Sequence, residues 1–75
     1  MIKEYTYTYT RAVEIDFDLL IQRFGINEEN DLKEECQNLI RRYLDWADDI
    51  EYWLLHGHEE EIANDLYNYI QSKTY

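Results

Sequence analysis

A period of two runs through the first seventeen residues and constrains the fold more than any other feature. The odd positions carry Tyr5, Tyr7, Tyr9, Arg11, Val13, Ile15 and Phe17, and the even positions carry Thr6, Thr8, Thr10, Ala12, Glu14 and Asp16. This alternation is typical of a β-strand whose apolar face packs on a core. The segment exceeds the usual strand length of about 5–6 residues. We therefore expect a bulge or a hairpin turn around Thr8 to Ala12.

A single strand leaves backbone hydrogen-bonding groups without partners, and no later segment has the pattern of a second strand. The segment must fold on itself, pair with the same segment of a second copy, or add to a partner's sheet. No Gly, Asn or Pro marks a turn between residues 8 and 12, which counts against the hairpin. Of the three options we favour a homodimer through the N-terminal strand.

Helical periodicity begins after the strand segment. Asp16 or Asp18 can cap a short helix at 19–24, which Gly25 would end. After a polar connector, Asn27 or Asn30 would start the longest helix, roughly residues 29–56. Its apolar positions are three or four residues apart: Leu32, Cys36, Leu39, Ile40, Tyr43, Ala47, Ile50 and Leu54. A kink near Asp45 or Trp46 would divide it into two helices.

The last helix is predicted to follow Gly57 and to begin at Glu59, Glu60 and Glu61, where carboxylates favour the positive end of the helix dipole. Its buried positions are Ile62, Leu66, Tyr69 and Ile70, and residues 72–75 are expected to fray. The prediction is a single α+β domain over residues 1–75, in which a strand or hairpin packs against about three helices.

The charge balance limits what the protein can bind. Seventeen acidic residues against seven Lys and Arg give a formal net charge of −10, which would repel nucleic acid and anionic membranes. Cys36 is the only cysteine, so it can form no intramolecular disulfide. No signal sequence or long apolar stretch is present, and we expect a cytoplasmic protein that does not enter membranes.

No pattern in the sequence indicates catalysis or a cofactor. His56 and His58 with Glu59 resemble metal ligands, but the two histidines straddle a helix end and no third ligand has a suitable spacing. The two glycines are thirty-two positions apart, which excludes a glycine-rich phosphate loop. Cys36 lies on the apolar side of the long helix, as a core residue would. We expect no enzyme activity, no metal and no cofactor.

The candidate partner-binding residues are mostly acidic. A helical wheel places Asp31, Glu34, Asp45, Asp48 and Asp49 opposite Leu32 and Ile50, with Arg41 interrupting this outward stripe. Carboxylates one helical turn apart, about 5.4 Å along the axis, approximate a row of phosphates. A second group on the last helix, Glu60, Glu61 and Asp65, could continue the surface, and Tyr52 and Trp46 lie beside the carboxylates.

In size and acidity, the chain resembles the small phage-borne anti-CRISPR and anti-restriction proteins that mimic DNA. The resemblance covers the chain as a type and includes no shared motif. It implies an inhibitor that occupies the DNA- or RNA-binding surface of a basic host-defence nuclease, with the acidic residues facing Lys and Arg of that enzyme. Two alternatives remain open: an acidic antidote or immunity protein for a basic toxin, and a structural adaptor that uses the N-terminal strand.

Overall fold

A computed structural model describes residues 1–8, 11–27 and 29–74. The described chain forms an antiparallel hairpin followed by four helices, which confirms the α+β class. The elements are β1 (Ile2–Thr8), β2 (Arg11–Asp16), α1 (Phe17–Phe24), α2 (Leu32–Trp46), α3 (Asp49–Leu55) and α4 (Glu59–Thr74).

The N-terminal segment folds on itself, so the hairpin is the alternative that the structure confirms. Ile2 pairs with Asp16 and Tyr5 with Val13, and the register shifts between Tyr5 and Thr8. Tyr5, Val13 and Ile15 are buried, as the alternation predicts. The turn expected around Thr8 to Ala12 includes residues 9 and 10, and these, with the predicted inward position of Tyr9, lie outside the described residues.

Helix α1 begins at Phe17, two residues before the predicted start. The Asp16 carboxylate accepts hydrogen bonds from the backbone N–H groups of Asp18 and Leu19, at 3.1 and 3.3 Å. Of the two candidate caps, Asp16 is therefore the cap, and Phe17 becomes a fully buried helical residue. Gly25 ends the helix with a φ of +76°, a value that side chains other than glycine rarely allow.

The stretch predicted as the longest helix is divided in two. Helix α2 starts at Leu32, where Asp31 and not Asn27 or Asn30 is the cap, and it ends at Trp46. Ala47 and Asp48 are extended, with ψ angles of 159° and 167°, and α3 begins after them. The break falls one or two residues beyond the predicted kink. Leu54 is buried, as the periodicity predicts, but the break changes the phase of the helix, so that Leu55 is also buried and Ile50 is 56% exposed.

The core lies between the hairpin and the helices, with α4 packed along α2. Lys33 lies over the Tyr67 ring and Gln37 lines one depression with Ala63, so the two helices run antiparallel. Cys36 of α2 is fully buried, and burial raises the pKa of its thiol to about 11. The core residues are Tyr5, Val13, Ile15, Phe17, Leu20, Cys36, Leu39, Ile40, Tyr43, Leu44, Leu54, Leu55, Ile62, Ala63 and Leu66.

Two further expectations concern the helices. Helix α4 continues to Thr74, whereas the sequence predicts fraying from Ser72. Within the described ranges, no helix is both long enough and apolar enough to cross a bilayer.

Candidate partner-binding site

Three predicted site residues lie close together where α2 ends and α3 begins. Asp45 lies in the last turn of α2, Asp48 is the cap of α3, and Asp49 is the first residue of α3. All three side chains are exposed. In the part of the chain that the structure describes, none of them forms an ion pair. We call Asp45, Asp48 and Asp49 the acidic corner.

The sequence that follows the acidic corner is poor in cations. No Lys or Arg occurs between Arg42 and Lys73, a stretch that contains eight of the seventeen acidic residues. Arg41 and Arg42 precede the corner in α2 and are exposed. The negative potential at the corner is reduced by solvent ions, by Arg41 and Arg42 about one helical turn before Asp45, and by Arg11, which lines a depression with Asp49.

Large apolar side chains are exposed beside the acidic corner. Ile50 is 56% and Trp53 is 72% exposed, and Tyr52, a predicted site residue, is 45% exposed. Ile50 and Trp53 line an open depression together with Leu54, Asp49 and Arg11. Exposed apolar groups rimmed by charge are typical of interaction sites.

Trp46 is also exposed, but other side chains pack against its ring. The Arg23 guanidinium lies 4.5 Å from the ring centroid, and Phe24 meets the ring edge-on at 6.5 Å between centroids. Trp46 therefore joins α1 to α2 on the surface, although 57% of it remains exposed.

Trp53 and Ile50 are the residues of this site that sequence reasoning missed. The periodicity placed Ile50 on the buried side because it assumed one continuous helix. A local signal was present, since Asp48 precedes Glu51 by three residues, the spacing of a helix cap and its third residue. The Asp48 carboxylate accepts a hydrogen bond from the Glu51 backbone N–H at 2.8 Å. A helix that starts after Asp48 predicts that the apolar side of α3 is out of phase with the apolar side of α2.

The remaining acidic positions of α2 lie apart from the corner. Asp31 and Glu34 are exposed at the beginning of the helix. They are roughly 16–21 Å from Asp45 along the helix axis, at about 1.5 Å per residue. Asp31 also accepts a hydrogen bond from the Lys33 N–H at 3.4 Å as the cap of α2. The predicted stripe is therefore two groups, with Arg41 between them.

The three acidic residues of α4 do not form one surface. Glu60 lines a depression with Lys33 and Gln37 of α2, whereas Glu61 and Asp65 lie on the side of the hairpin. Asp65 accepts a hydrogen bond from the Tyr5 hydroxyl at 2.7 Å and lies 3.2 Å from the Lys3 ammonium. Burial and this hydrogen bond raise the pKa of Tyr5. Asp65 therefore joins the hairpin to α4.

Glu61 belongs to a cluster with two rings. The Tyr7 ring stacks on the His58 ring with centroids 3.6 Å apart and an angle of 2° between the planes. His58 Nδ1 lies 3.9 Å from the Glu61 carboxylate. The Tyr7 hydroxyl is buried and has no hydrogen-bond partner among the described residues. Burial and the nearby Glu61 carboxylate raise its pKa.

The two histidines contact different rings. His56 stacks on Tyr52 with centroids 5.6 Å apart, and its Nδ1 lies 4.0 Å from Glu59. Among the described residues, no group of three or more His, Cys, Asp and Glu side chains is arranged to hold a metal ion.

Comparison with known proteins adds no family to these observations. No protein-family model matches the chain, and neither a curated protein nor a solved structure is significantly similar to it.

Proposed function

We propose that this protein is an acidic inhibitor that binds a basic, nucleic-acid-binding protein through the acidic corner and occupies the surface that nucleic acid would fill. The target would be a host-defence nuclease, as for an anti-CRISPR or anti-restriction protein, and the expected compartment is the cytoplasm. One observation carries the proposal: Asp45, Asp48 and Asp49 are exposed together without an ion pair in the described structure, inside a stretch that lacks Lys and Arg.

The physical basis is long-range attraction followed by local pairing. Uncompensated carboxylates attract a cationic surface from a distance and speed association. Lys and Arg side chains that bind phosphates can bind these carboxylates instead, so the inhibitor and nucleic acid would compete. Because exposed charges are screened within about 10 Å at about 0.1 M salt, the affinity should fall as ionic strength rises.

Reversal of two charges tests whether the acidic corner binds the partner. Asp45→Lys combined with Asp49→Lys reverses two corner charges and leaves Asp48 to cap α3. The matched control is Glu4→Lys combined with Glu14→Lys, which makes the same change in net charge on the outer face of the hairpin, where these two residues pair. The corner variant should lose the partner that wild-type protein captures from a lysate at low salt, and the control should retain it. Equal capture by both variants contradicts the proposal.

Competition tests the mimicry. Duplex or single-stranded nucleic acid added to the captured complex should displace the partner if both bind the same cationic groups. Retention of the partner at saturating nucleic acid would leave the alternative of an antidote for a basic toxin. The exposed Trp53 beside the corner favours that alternative more than mimicry alone, because a phosphate backbone offers no equivalent of an indole ring.

A homodimer through the N-terminal strand stays a separate proposal. In the described residues β1 pairs only with β2, so each strand keeps one edge that a second copy could extend. Light scattering should then give twice the chain mass of 9.3 kDa. A particle of single-chain mass at micromolar concentration contradicts the dimer and leaves the acidic-corner proposal unaffected.

A further inference from the structure

We propose that the depression lined by Arg11, Asp49, Ile50, Trp53 and Leu54 binds a basic protein segment by taking up one of its aliphatic side chains. We call this depression the Trp53 depression. The inference rests on the proposed function and specifies the chemistry of the partner: cationic residues for the acidic corner and an apolar residue between them.

Trp53 is the most exposed large apolar side chain of the described residues, at 72%. It has no ring stacking or cation–π contact among those residues, in contrast to Trp46, which packs against Arg23 and Phe24. Neighbouring Ile50 adds a second exposed apolar group. Tryptophan in a pocket surrounded by polar groups is a typical centre of binding energy. The apolar surface is therefore available to an occupant.

The rim of the depression restricts what that occupant can be. An apolar partner without charges would desolvate Asp49 and its neighbours in the acidic corner without replacing their hydration, which is unfavourable. A segment with Lys or Arg on either side of an aliphatic residue would pair with these carboxylates while its apolar side chain contacts Trp53 and Ile50. Among the described residues, Arg11 is the one cation and Asp49 the one carboxylate that line the depression, and Asp45 and Asp48 add two carboxylates in the neighbouring acidic corner.

Charge also argues against two other occupants. A second copy of this chain would bring another net charge of −10 toward the same surface, and its acidic corner would repel this one. Nucleic acid would bring phosphates, which the corner also repels. A cationic protein segment is the occupant that both the apolar and the acidic parts of the surface favour.

A defined probe can test this chemistry without knowledge of the natural partner. The probe is a synthetic amphipathic peptide of Leu and Lys, accompanied by a Ser–Lys peptide of equal charge and a Leu–Glu peptide of opposite charge. Titration calorimetry would be run at about 0.05 M and about 0.5 M sodium chloride, because the screening length shortens several-fold over a range of this kind. The entire chain of 75 residues is used throughout.

The variants separate the contribution of apolar contact to peptide binding from the contribution of charge. Trp53→Ala removes the exposed ring and retains a strong helix former in α3, and Ile50→Gln is a second, milder change. The control is Ile2→Thr, which removes an apolar side chain that is 63% exposed on the hairpin and keeps β-branching. Asp45→Lys with Asp49→Lys reports the charge contribution. Circular dichroism confirms that each variant is folded.

We expect Trp53→Ala to weaken binding of the Leu–Lys peptide by about tenfold or more at both salt concentrations. Ile50→Gln should weaken it less, and Ile2→Thr should not change it. Binding of the Ser–Lys peptide should depend on salt and on the corner carboxylates but not on Trp53.

Each contrary result has a separate meaning. If wild-type protein does not bind the Leu–Lys peptide, or if Trp53→Ala and Ile50→Gln bind it as wild type does, the inference is overturned. If Trp53→Ala binds the Leu–Lys peptide as wild type does while the corner variant loses binding, only the inference fails. The acidic corner then retains its proposed role. Equal binding of the Leu–Glu peptide, or no effect of the corner variant, overturns the cationic partner and with it the proposed function.

Discussion

At the scale of single residues, Asp18 joins three parts of the chain. Its carboxylate accepts hydrogen bonds from the N-terminal ammonium of Met1, from the Tyr69 hydroxyl at 2.6 Å and from the Lys73 ammonium at 3.0 Å. These donors, with the N-terminal ammonium contributing most, hold the pKa of the Asp18 carboxyl well below its usual range. Asp18 thus connects the start of β1 and the end of α4 to α1.

The Asp18→Asn variant should be less stable than wild type at neutral pH. A carboxyl with a lowered pKa in the folded state contributes stability above its unfolded pKa, about 3.9, and this stability is lost as pH falls toward the folded value. The difference in melting temperature between wild type and Asp18→Asn should therefore narrow below about pH 4. Asp45→Asn, which removes a carboxylate that forms no ion pair with another described residue, is the control. A constant difference down to about pH 2 would contradict this role.

Tyr5 and Tyr7 lie on the same face of β1 but differ in the hydrogen bonding of their hydroxyls. The Tyr5 hydroxyl donates to Asp65, whereas the Tyr7 hydroxyl is buried without a partner among the described residues. A buried polar group without a hydrogen bond is unfavourable, and one bonded to a charged group is stabilising.

Removing each hydroxyl should therefore have different consequences. Tyr5→Phe should lower the free energy of unfolding by about 1–2 kcal/mol, because it removes a hydrogen bond to a carboxylate. Tyr7→Phe should leave the free energy of unfolding unchanged or raise it. Urea denaturation of the two variants side by side measures the difference, and each serves as the control for the other. Equal loss of stability would show that the Tyr7 hydroxyl has a stabilising contact.

At the scale of elements, the break between α2 and α3 decides which residues reach solvent. Asp48 is in the extended conformation and caps α3 with its side chain. Glu51, in the first turn, accepts a hydrogen bond from the Tyr43 hydroxyl at 2.9 Å. This contact holds the inner side of α3 against α2. The outer side, with Ile50 and Trp53, is consequently exposed.

Substitution of Asp48 tests whether this cap stabilises α3. Asp48→Ala should lower the free energy of unfolding by about 1 kcal/mol, because it leaves a backbone N–H of α3 without its acceptor. Asp48→Asn, which retains an acceptor oxygen, should be close to wild type. Hydrogen exchange should accelerate in α3 of the Ala variant more than in α4. Faster exchange across all helices, or equal stability of the two variants, would mean that the cap does not hold α3.

At the scale of the whole molecule, repulsion among carboxylates opposes folding. The net charge of −10 is carried by 75 residues, and such an excess destabilises a compact state. Among the described residues, few carboxylates pair with Lys, Arg or the N-terminal ammonium: Asp16 and Asp18 pair with the N-terminal ammonium, Asp18 also with Lys73, and Asp65 with Lys3. Screening of the repulsion should therefore outweigh screening of these pairs.

The melting temperature should rise with sodium chloride between about 0.02 M and about 0.5 M, because screening acts within this range. Glu4→Lys combined with Glu14→Lys lowers the net charge and should show a smaller rise. A melting temperature that falls with salt would indicate that attraction within the fold exceeds the repulsion.

The elements themselves follow from local chemistry that can be read in the sequence. Tyr5, Val13 and Ile15 alternate with polar residues, and their burial in strands is the outcome that period two predicts. The positive-φ glycines, Gly25 and Gly57, lie at the ends of α1 and α3 as expected. Short-range patterns are informative here because strand alternation and helix termination depend on neighbours within a few residues.

The arrangement of charged and exposed residues was decided by tertiary structure. Asp65 differs from Glu60 in the same helix only because the hairpin brings Tyr5 and Lys3 beside it, sixty residues away in sequence in the case of Tyr5. Ile50 and Trp53 reach solvent because α3 turns Glu51 toward Tyr43. Periodicity gives the apolar side of one helix, but the relative placement of elements depends on contacts between distant residues, which no local pattern contains.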